Sequence, residues 1–389
     1  MSKAQPFRIE VPQEKLDAIM ARVKNYDWFP APANEQGFAY GMSTTMMKDI
    51  QRYWIAGYDW RKAEEKLNHF ANYKARVDDM EIHYVHVIGE AGGQRPLLIT
   101  HGWPGSVFEF WECIGPLAFP SKYGGRKEDA FDVIIPSLPG YGFSEKPKSP
   151  IGPRATAALW DKLMREVLKY DTYLAQGGDW GAMVTSWLGL NHGATDGKGG
   201  CKAIHLNMIG FRPSPATPQN DEEVAWLTRT QEAMQREGAY FMEQATKPQT
   251  LAMALMDSPV GTAAWIIEKF HGWSDLSDGG LLDAYTKDQL ITNVMIYLVN
   301  DAIATSVWFY NGFMQEGANV LPENTRCETP TAFANFPGES VYTPAPRSWF
   351  ERAYNLTRWT DMPRGGHFAA MEEPEAYVED VRGWANELD

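Results

Sequence analysis

Tyr173-Leu174-Ala175-Gln176-Gly177-Gly178-Asp179-Trp180-Gly181-Ala182 decides the architecture of this chain. Residues 173–176 form a short apolar run, and residues 182–190 carry helical spacing. A strand therefore enters the glycines and a helix leaves them. Small residues on both sides permit the sharp strand-to-helix turn that lifts one side chain above the edge of a sheet, the geometry of a nucleophile elbow. The lifted residue is Asp179. Hydrolases that use serine here read Gly-x-Ser-x-Gly, and no such stretch occurs in the chain. A carboxylate is a weak nucleophile toward esters and amides, but it can displace at an alkyl carbon and form an ester with its substrate. The plainer reading is an aspartate capping the following helix. The flanking glycines and the preceding strand weigh toward catalysis.

The same rhythm extends outward. Residues 97–100 are apolar and end at Gly102, residues 131–135 end in the loop 136–142, and residues 203–208 form a further run. Residues 155–169 read as a helix between them. Apolar strands that stop at glycine-rich turns and alternate with helices predict an α/β protein whose mostly parallel central sheet has helices on both faces. Upstream, Leu16, Ile19, Met20 and Val23 predict a helix over 12–25, and 44–70 looks helical and aromatic, with Tyr53, Trp54, Tyr58 and Trp60. Residues 73–88 switch to period two, with 77–80 as a hairpin turn. Beyond 213–218, a stretch rich in proline, the text is helical only: 221–246, 249–256, 260–270 and 287–314. Strands resume at 331–336 and 356–360, and a helix over 374–388 closes the chain. A helical block inserted between strands of a parallel sheet is a lid over its carboxyl edge, where ligands bind in such folds. The expected organisation is an N-terminal extension over 1–72, a core over 73–212, a lid over 213–328 and the rest of the core over 329–389. Met242, Met253, Met256, Trp265, Phe270 and Trp308 make the lid apolar and predict an apolar pocket beneath it.

Composition narrows the function. Of 389 residues 44% are apolar and 22% charged, enough for a large core and too apolar for disorder. A net charge of −14 disfavours a nucleic-acid partner. No apolar run reaches the ~18–20 residues of a membrane span, and the first residues lack the order of a signal peptide. A soluble, cytoplasmic protein is expected. Its three cysteines, Cys113, Cys201 and Cys327, form no Cys-x-x-Cys and predict neither a disulfide framework nor a structural zinc site.

Three further stretches carry chemistry. His101-Gly102-Trp103-Pro104-Gly105-Ser106 follows the strand 97–100. A loop this dense in glycine and proline is either an ordinary tight turn or the holder of a backbone N–H aimed into a cleft. In the second case Trp103 N–H and Trp180 N–H make an oxyanion hole. Gly102 and Pro104 shape the loop and His101 braces it. Arg364-Gly365-Gly366-His367-Phe368 lies past the last strand, and His367 suits a general base there. Of the other histidines, His83, His86 and His205 read as structural, and His69, His192 and His271 have no motif around them. The base needs an orienting carboxylate. Glu339, in Phe336-Pro337-Gly338-Glu339-Ser340, gives the chain order nucleophile, acid, histidine. Asp301 and Asp361 compete with it.

With these residues in place the chain resembles the microsomal-type epoxide hydrolases of the α/β-hydrolase superfamily. The likeness runs from Pro6-Phe7-Arg8-Ile9-Glu10-Val11-Pro12, through Tyr53-Trp54, Tyr58-Asp59-Trp60-Arg61 and Leu67-Asn68-His69-Phe70, to the loop Pro136-Ser137-Leu138-Pro139-Gly140-Tyr141-Gly142-Phe143-Ser144. Asp257-Ser258-Pro259-Val260-Gly261 and Gly365-Gly366-His367-Phe368-Ala369-Ala370 continue it. The resemblance implies the α/β-hydrolase fold with a helical lid and an N-terminal extension, and hydrolysis of an apolar epoxide to a vicinal diol without cofactor or metal. It implies Asp179 as nucleophile, His367 as base, Glu339 as acid, and two lid tyrosines that polarise the epoxide oxygen. Composition does not choose among Tyr240, Tyr285, Tyr297 and Tyr310. Similarity selects Tyr240, through Gly238-Ala239-Tyr240, and Tyr310, through Trp308-Phe309-Tyr310, leaving Tyr285 and Tyr297 as core or surface aromatics. Membrane-bound members carry an apolar anchor ahead of the extension. Here Pro6 lies near the start, so the expectation is of a member without a membrane anchor. Its partner is a small apolar epoxide, with a homodimer left open. The alternatives are a haloalkane dehalogenase, which also uses an Asp-Trp elbow, and a non-catalytic scaffold that binds a small apolar ligand.

Overall fold

One sheet organises the chain. Its strands are β1 (Gln5–Phe7), β2 (Asn72–Val77), β3 (Met80–Val87), β4 (Pro96–Thr100), β5 (Asp132–Pro136), β6 (Thr172–Gly177), β7 (Gly200–Leu206), β8 (Cys327–Asn335) and β9 (Tyr354–Asp361). In the computed structural model, which describes residues 3–93, 95–194, 198–317 and 321–388, they lie in the order β1-β2-β3-β5-β4-β6-β7-β8-β9. The pairs from β5 through β9 are parallel, and β1, β2 and β3 extend the sheet antiparallel at one edge. Every residue of β4 and β5 is buried, because helices cover both faces; hence these strands read as unbroken apolar runs. In β3 the alternation makes no wet face. His83, Tyr84 and Val85 are all buried, since Phe7 and Phe143 pack on the His83 ring.

The helical text breaks where the sequence pattern runs on. The stretch 44–70 is two helices, Thr44–Ala56 and Trp60–Leu67, the second capped by Asp59, which accepts from Arg61 N–H. The stretch 221–246 divides at Gly238 into Asp221–Glu237 and Ala239–Thr246. The stretch 287–314 becomes Lys287–Val299, Ala302–Ser306 and Trp308–Glu316. Asp301 makes the first of those breaks in the left-handed conformation, at φ +51°. Lys15 Nζ holds its carboxylate at 2.5 Å, a contact from the opposite end of the chain that no local pattern contains. The short helices Trp111–Ala118, Leu281–Ala284, Arg347–Ala353 and Ala369–Glu372 lie outside the stretches that the sequence pattern marks as helical.

The helices between β7 and β8 form the block above the carboxyl edge of the sheet. Pro248–Asp257 and Pro259–Trp273 meet at 117°, and no single helix among the described residues is long and apolar enough to cross a membrane. The N-terminal segment packs against this block. Arg22 Nη1 donates to Met256 O at 2.9 Å, and the Tyr58 and Thr292 hydroxyls lie 3.1 Å apart. The lid is thus fastened to the N-terminal helices and the loop between them. All three cysteines are buried and unbridged.

Candidate active site

Asp179 sits between β6 and the helix Trp180–His192 with φ +49° and ψ −129°. A non-glycine residue there stores on the order of 1–3 kcal/mol of backbone strain, which persists only when the surroundings enforce it. Gly181 is the enforcement: a Cβ on it would come within 1.9 Å of Thr100 O. Only glycine lets the helix start directly against the end of β4. The Asp179 side chain makes no capping hydrogen bond to its helix, so the capping reading falls. Its Oδ1 accepts instead from Trp103 N–H at 2.7 Å, in the loop after β4. Trp180 is the first residue of the helix, where N–H groups have no intrahelical acceptor.

The loop holding Trp103 is braced from below and above. The His101 ring sets Nδ1 2.9 Å from Gly102 O, and its Nε2 accepts from Leu138 N–H at 3.1 Å. Burial lowers its pKa to about 4, so it is neutral. From the lid, Asn293 Nδ2 donates to Pro104 O at 2.7 Å, and Tyr297 OH donates to Gly105 O. Tyr297 is therefore a core residue with its hydroxyl spent on the loop. Tyr285 is likewise buried, its hydroxyl 2.6 Å from Ser274 Oγ.

His367 stands between two carboxylates. Its Nε2 is 3.3 Å from Asp179 Oδ2, and its Nδ1 is 2.6 Å from Glu339 Oε2. The other Glu339 oxygen accepts from Val341 N–H and Tyr342 N–H at 3.2 and 3.1 Å, which fixes the carboxylate in its own loop. Glu339 lies past β8 and His367 past β9, neighbouring parallel strands whose ends bring the two loops together. The competitors are elsewhere: Asp301 pairs with Lys15, and Asp361 accepts from Asn335 and Trp359. Burial by itself would lower the His367 pKa; the charges of Glu339 and Asp179 overcome it and hold the pKa well above the usual value. Glu372 steadies the loop by accepting from Asp275, Gly366 and Phe368 N–H groups at 2.7 to 2.9 Å.

Tyr240 and Tyr310 close the site from the lid. The Tyr240 ring stacks on Trp103 with centroids 5.4 Å apart, and Tyr310 meets Trp180 edge-on at 4.6 Å. The two tyrosines touch each other edge-on at 5.9 Å. Burial raises both well above the usual tyrosine pKa, and the nearby Asp179 charge adds to it. Both remain protonated donors. The sequence did not single out Tyr342, whose hydroxyl is 2.9 Å from that of Tyr240. It lies three residues past Glu339, so the loop of that candidate carboxylate was the signal to follow.

A cavity of about 240 Å³ opens from Asp179 along Trp180, Phe241 and Phe313 to Phe211 and Trp226. Its apolar lining agrees with the expectation, but its residues do not. None of Met242, Met253, Met256, Trp265, Phe270 and Trp308 lines it; the methionines are Met183, Met208, Met234 and Met314. Met242 and Met253 are 57% and 67% exposed, on the outer faces of their short helices. The arrangement has a carboxylate oxygen facing an apolar cavity, an imidazole beside it and phenols above it. It can perform displacement at carbon followed by hydrolysis of the resulting ester.

Comparisons with known proteins bear on this arrangement. The family model described as "Epoxide hydrolase N terminus" matches residues 4–110, and that described as "alpha/beta hydrolase fold" matches residues 95–255. A protein of Stigmatella aurantiaca is 39% identical over 381 residues, covering 97% of this chain and 83% of its own length. Epoxide hydrolase 1 of Sus scrofa is 34% identical over 409 residues, covering 97% of this chain and 87% of its own. The crystal structure of juvenile hormone epoxide hydrolase from the silkworm Bombyx mori superposes with a TM-score of 0.86 at 28% identity, covering 100% of this chain and 95% of that one.

Proposed function

Because this chain belongs to the epoxide hydrolases of the alpha/beta hydrolase fold, we propose that it opens its epoxide through a covalent ester on Asp179. The chain is an epoxide hydrolase by its relatives, which sets aside the haloalkane dehalogenase and the non-catalytic scaffold. The observation that carries the mechanism is the placing of His367. It contacts Asp179 Oδ2 at 3.3 Å and Glu339 Oε2 at 2.6 Å, while Asp179 Oδ1 rests on Trp103 N–H.

In the first step the ionised Asp179 attacks a ring carbon, and the carbon–oxygen bond of the ring breaks. The oxygen becomes an alkoxide that takes its proton from the Tyr240–Tyr310 pair, where charge develops and fixed donors lower the barrier. Ester formation removes the Asp179 charge, one of the two that hold His367 protonated. The His367 pKa falls, its Nε2 proton passes to the phenolate left by the first step, and His367 becomes a neutral base just when water must be activated. In the second step His367 takes a proton from water, and the hydroxide adds to the Asp179 carbonyl carbon. The oxyanion is held by the N–H groups of Trp103 and Trp180. Collapse passes the proton that His367 took from water to the departing diol, and the proton on the restored Asp179 carboxyl returns to His367, which again stands protonated between two carboxylates. No cofactor or metal enters. The substrate is an apolar epoxide whose body lies along the cavity by Phe211, Phe241 and Phe313.

A single turnover with excess enzyme in ¹⁸O-labelled water tests this route. The diol should emerge mostly unlabelled, with the label in the peptide that carries Asp179. Labelled diol in the first turnover sinks the covalent mechanism. A further expectation concerns Glu339, whose charge stabilises the imidazolium that forms as His367 takes the proton from water. Glu339→Gln should slow ester hydrolysis more than ester formation, by about 10² or more, as rapid-mixing kinetics would resolve. Equal slowing of both steps removes Glu339 from the acid role.

A further inference from the structure

A second, much smaller chamber lies beside Asp179. It shares only Asp179 with the apolar cavity and is lined by Gly102, Gly178, Glu109, Asn207 and His367 among others. Its room of about 20 Å³ for the centres of water-sized molecules suits one water, which needs roughly 10–15 Å³ and two to four polar partners. His367 Nε2 has no hydrogen-bond partner among the described residues; its contact with Asp179 Oδ2 is 3.3 Å long. One ring nitrogen is thus left for a water in this chamber.

Glu109 is the group here that the mechanism above does not use. It sits in the short helical turn Val107–Phe110 that follows the Trp103 loop. Its carboxyl fills the place where a side chain on Gly105 would lie: a Cβ there would fall 1.3 Å from Glu109 Oε1. Glycine at 105 is what admits the carboxyl to the chamber. Glu109 retains some accessible surface, and it retains it on the chamber wall. Deep burial pushes its pKa up to about 8; the His367 charge works against this and the Asp179 charge with it. Near neutral pH it is an uncharged carboxyl whose carbonyl oxygen can accept a hydrogen bond, without placing a second negative charge against Asp179.

We propose that Glu109 holds and orients the water that hydrolyses the Asp179 ester. The inference rests on the covalent route proposed above. The water gives one proton to His367 Nε2 and its other hydrogen as a hydrogen bond to the Glu109 carboxyl oxygen, which aims a lone pair at the Asp179 carbonyl carbon. The water oxygen bonds to that carbon, the bond from that carbon to the substrate oxygen then breaks, and the proton on His367 passes to the diol. Glu109 exchanges no proton and contributes geometry alone.

Rapid mixing of styrene oxide with the enzyme, followed by tryptophan fluorescence, separates ester formation from hydrolysis, since Trp103 and Trp180 border Asp179. Glu109→Leu should leave ester formation within about threefold and slow hydrolysis by about 10², the loss typical of one fixed polar contact in a site. Glu109→Gln keeps a carbonyl acceptor and should recover most of that loss. Gly105→Ala, which expels the carboxyl from the chamber, should resemble Glu109→Leu. Hydrolysis at the wild-type rate in Glu109→Leu, a Gln variant as slow as the Leu variant, or equal slowing of both steps would each overturn the assignment. His367→Gln serves as the control. A covalent adduct on it leaves the ester route standing whatever Glu109 does, and no adduct overturns that route and the Glu109 role together.

Discussion

His367→Gln should stop turnover at the ester. The variant keeps the Asp179 nucleophile and its hold on Trp103 N–H, so the first step proceeds. It lacks the base for the second step, so protein heavier by one epoxide should accumulate, with the added mass on the peptide carrying Asp179. Steady-state diol formation should fall by about 10⁶, the scale seen when the histidine of a catalytic triad is removed. Asp179→Ala should form no adduct and no diol. Asp179→Asn is a poor substitute, because a neighbouring base can deamidate it back. Intact-protein and peptide mass spectrometry read all three variants. A His367→Gln protein that turns over freely, or an adduct on another peptide, would reassign the nucleophile.

The double change Tyr240→Phe with Tyr310→Phe should abolish ester formation while leaving the fold intact. Both hydroxyls lie in a lid lined by aromatic rings. An alkoxide released there without a donor costs several kcal/mol, which corresponds to about 10³ or more in the first step. Each single change should be milder, on the order of 10–10², because one phenol remains. Tyr342→Phe should fall among the single changes or below them, since its hydroxyl lies 2.9 Å from that of Tyr240. Rapid mixing gives the alkylation rate, and far-ultraviolet circular dichroism checks the fold. Wild-type alkylation in the double variant would remove the two tyrosines from the reaction.

The parts of this protein that were legible in its sequence are those written locally. Apolar runs that end at glycines gave the parallel strands, because a strand buried on both faces shows its burial in consecutive residues. The elbow at Asp179 was legible because its geometry needs small residues at fixed offsets, and Gly181 against Thr100 O is that requirement made visible. The histidine past the last strand was legible for the same reason. The breaks in the lid helices were not. Periodicity carried on across Gly238 and Asp301, and it was the contact of Lys15 with Asp301 from the other end of the chain that accompanied one break.

Long-range distances belong to the fold alone. Glu339, Asp301 and Asp361 are equivalent carboxylates on paper. Only the pairing of β8 with β9 brings the first to 2.6 Å from His367 and leaves the others on Lys15 and on Asn335. Tyr285 and Tyr297 carry the same phenol as Tyr240 and Tyr310, but their hydroxyls meet Ser274 and Gly105. Met242 and Met253, counted toward the pocket, face outward, and other methionines from the core and lid line it. Glu109 was in plain view eight residues after His101, and nothing near it in the sequence says that its carboxyl enters a one-water chamber. Composition and local turn chemistry determined which elements form and which residue the elbow lifts. The tertiary structure decided which identical groups share a cavity, because proximity across hundreds of residues depends on strand order and packing, which no short window of sequence contains.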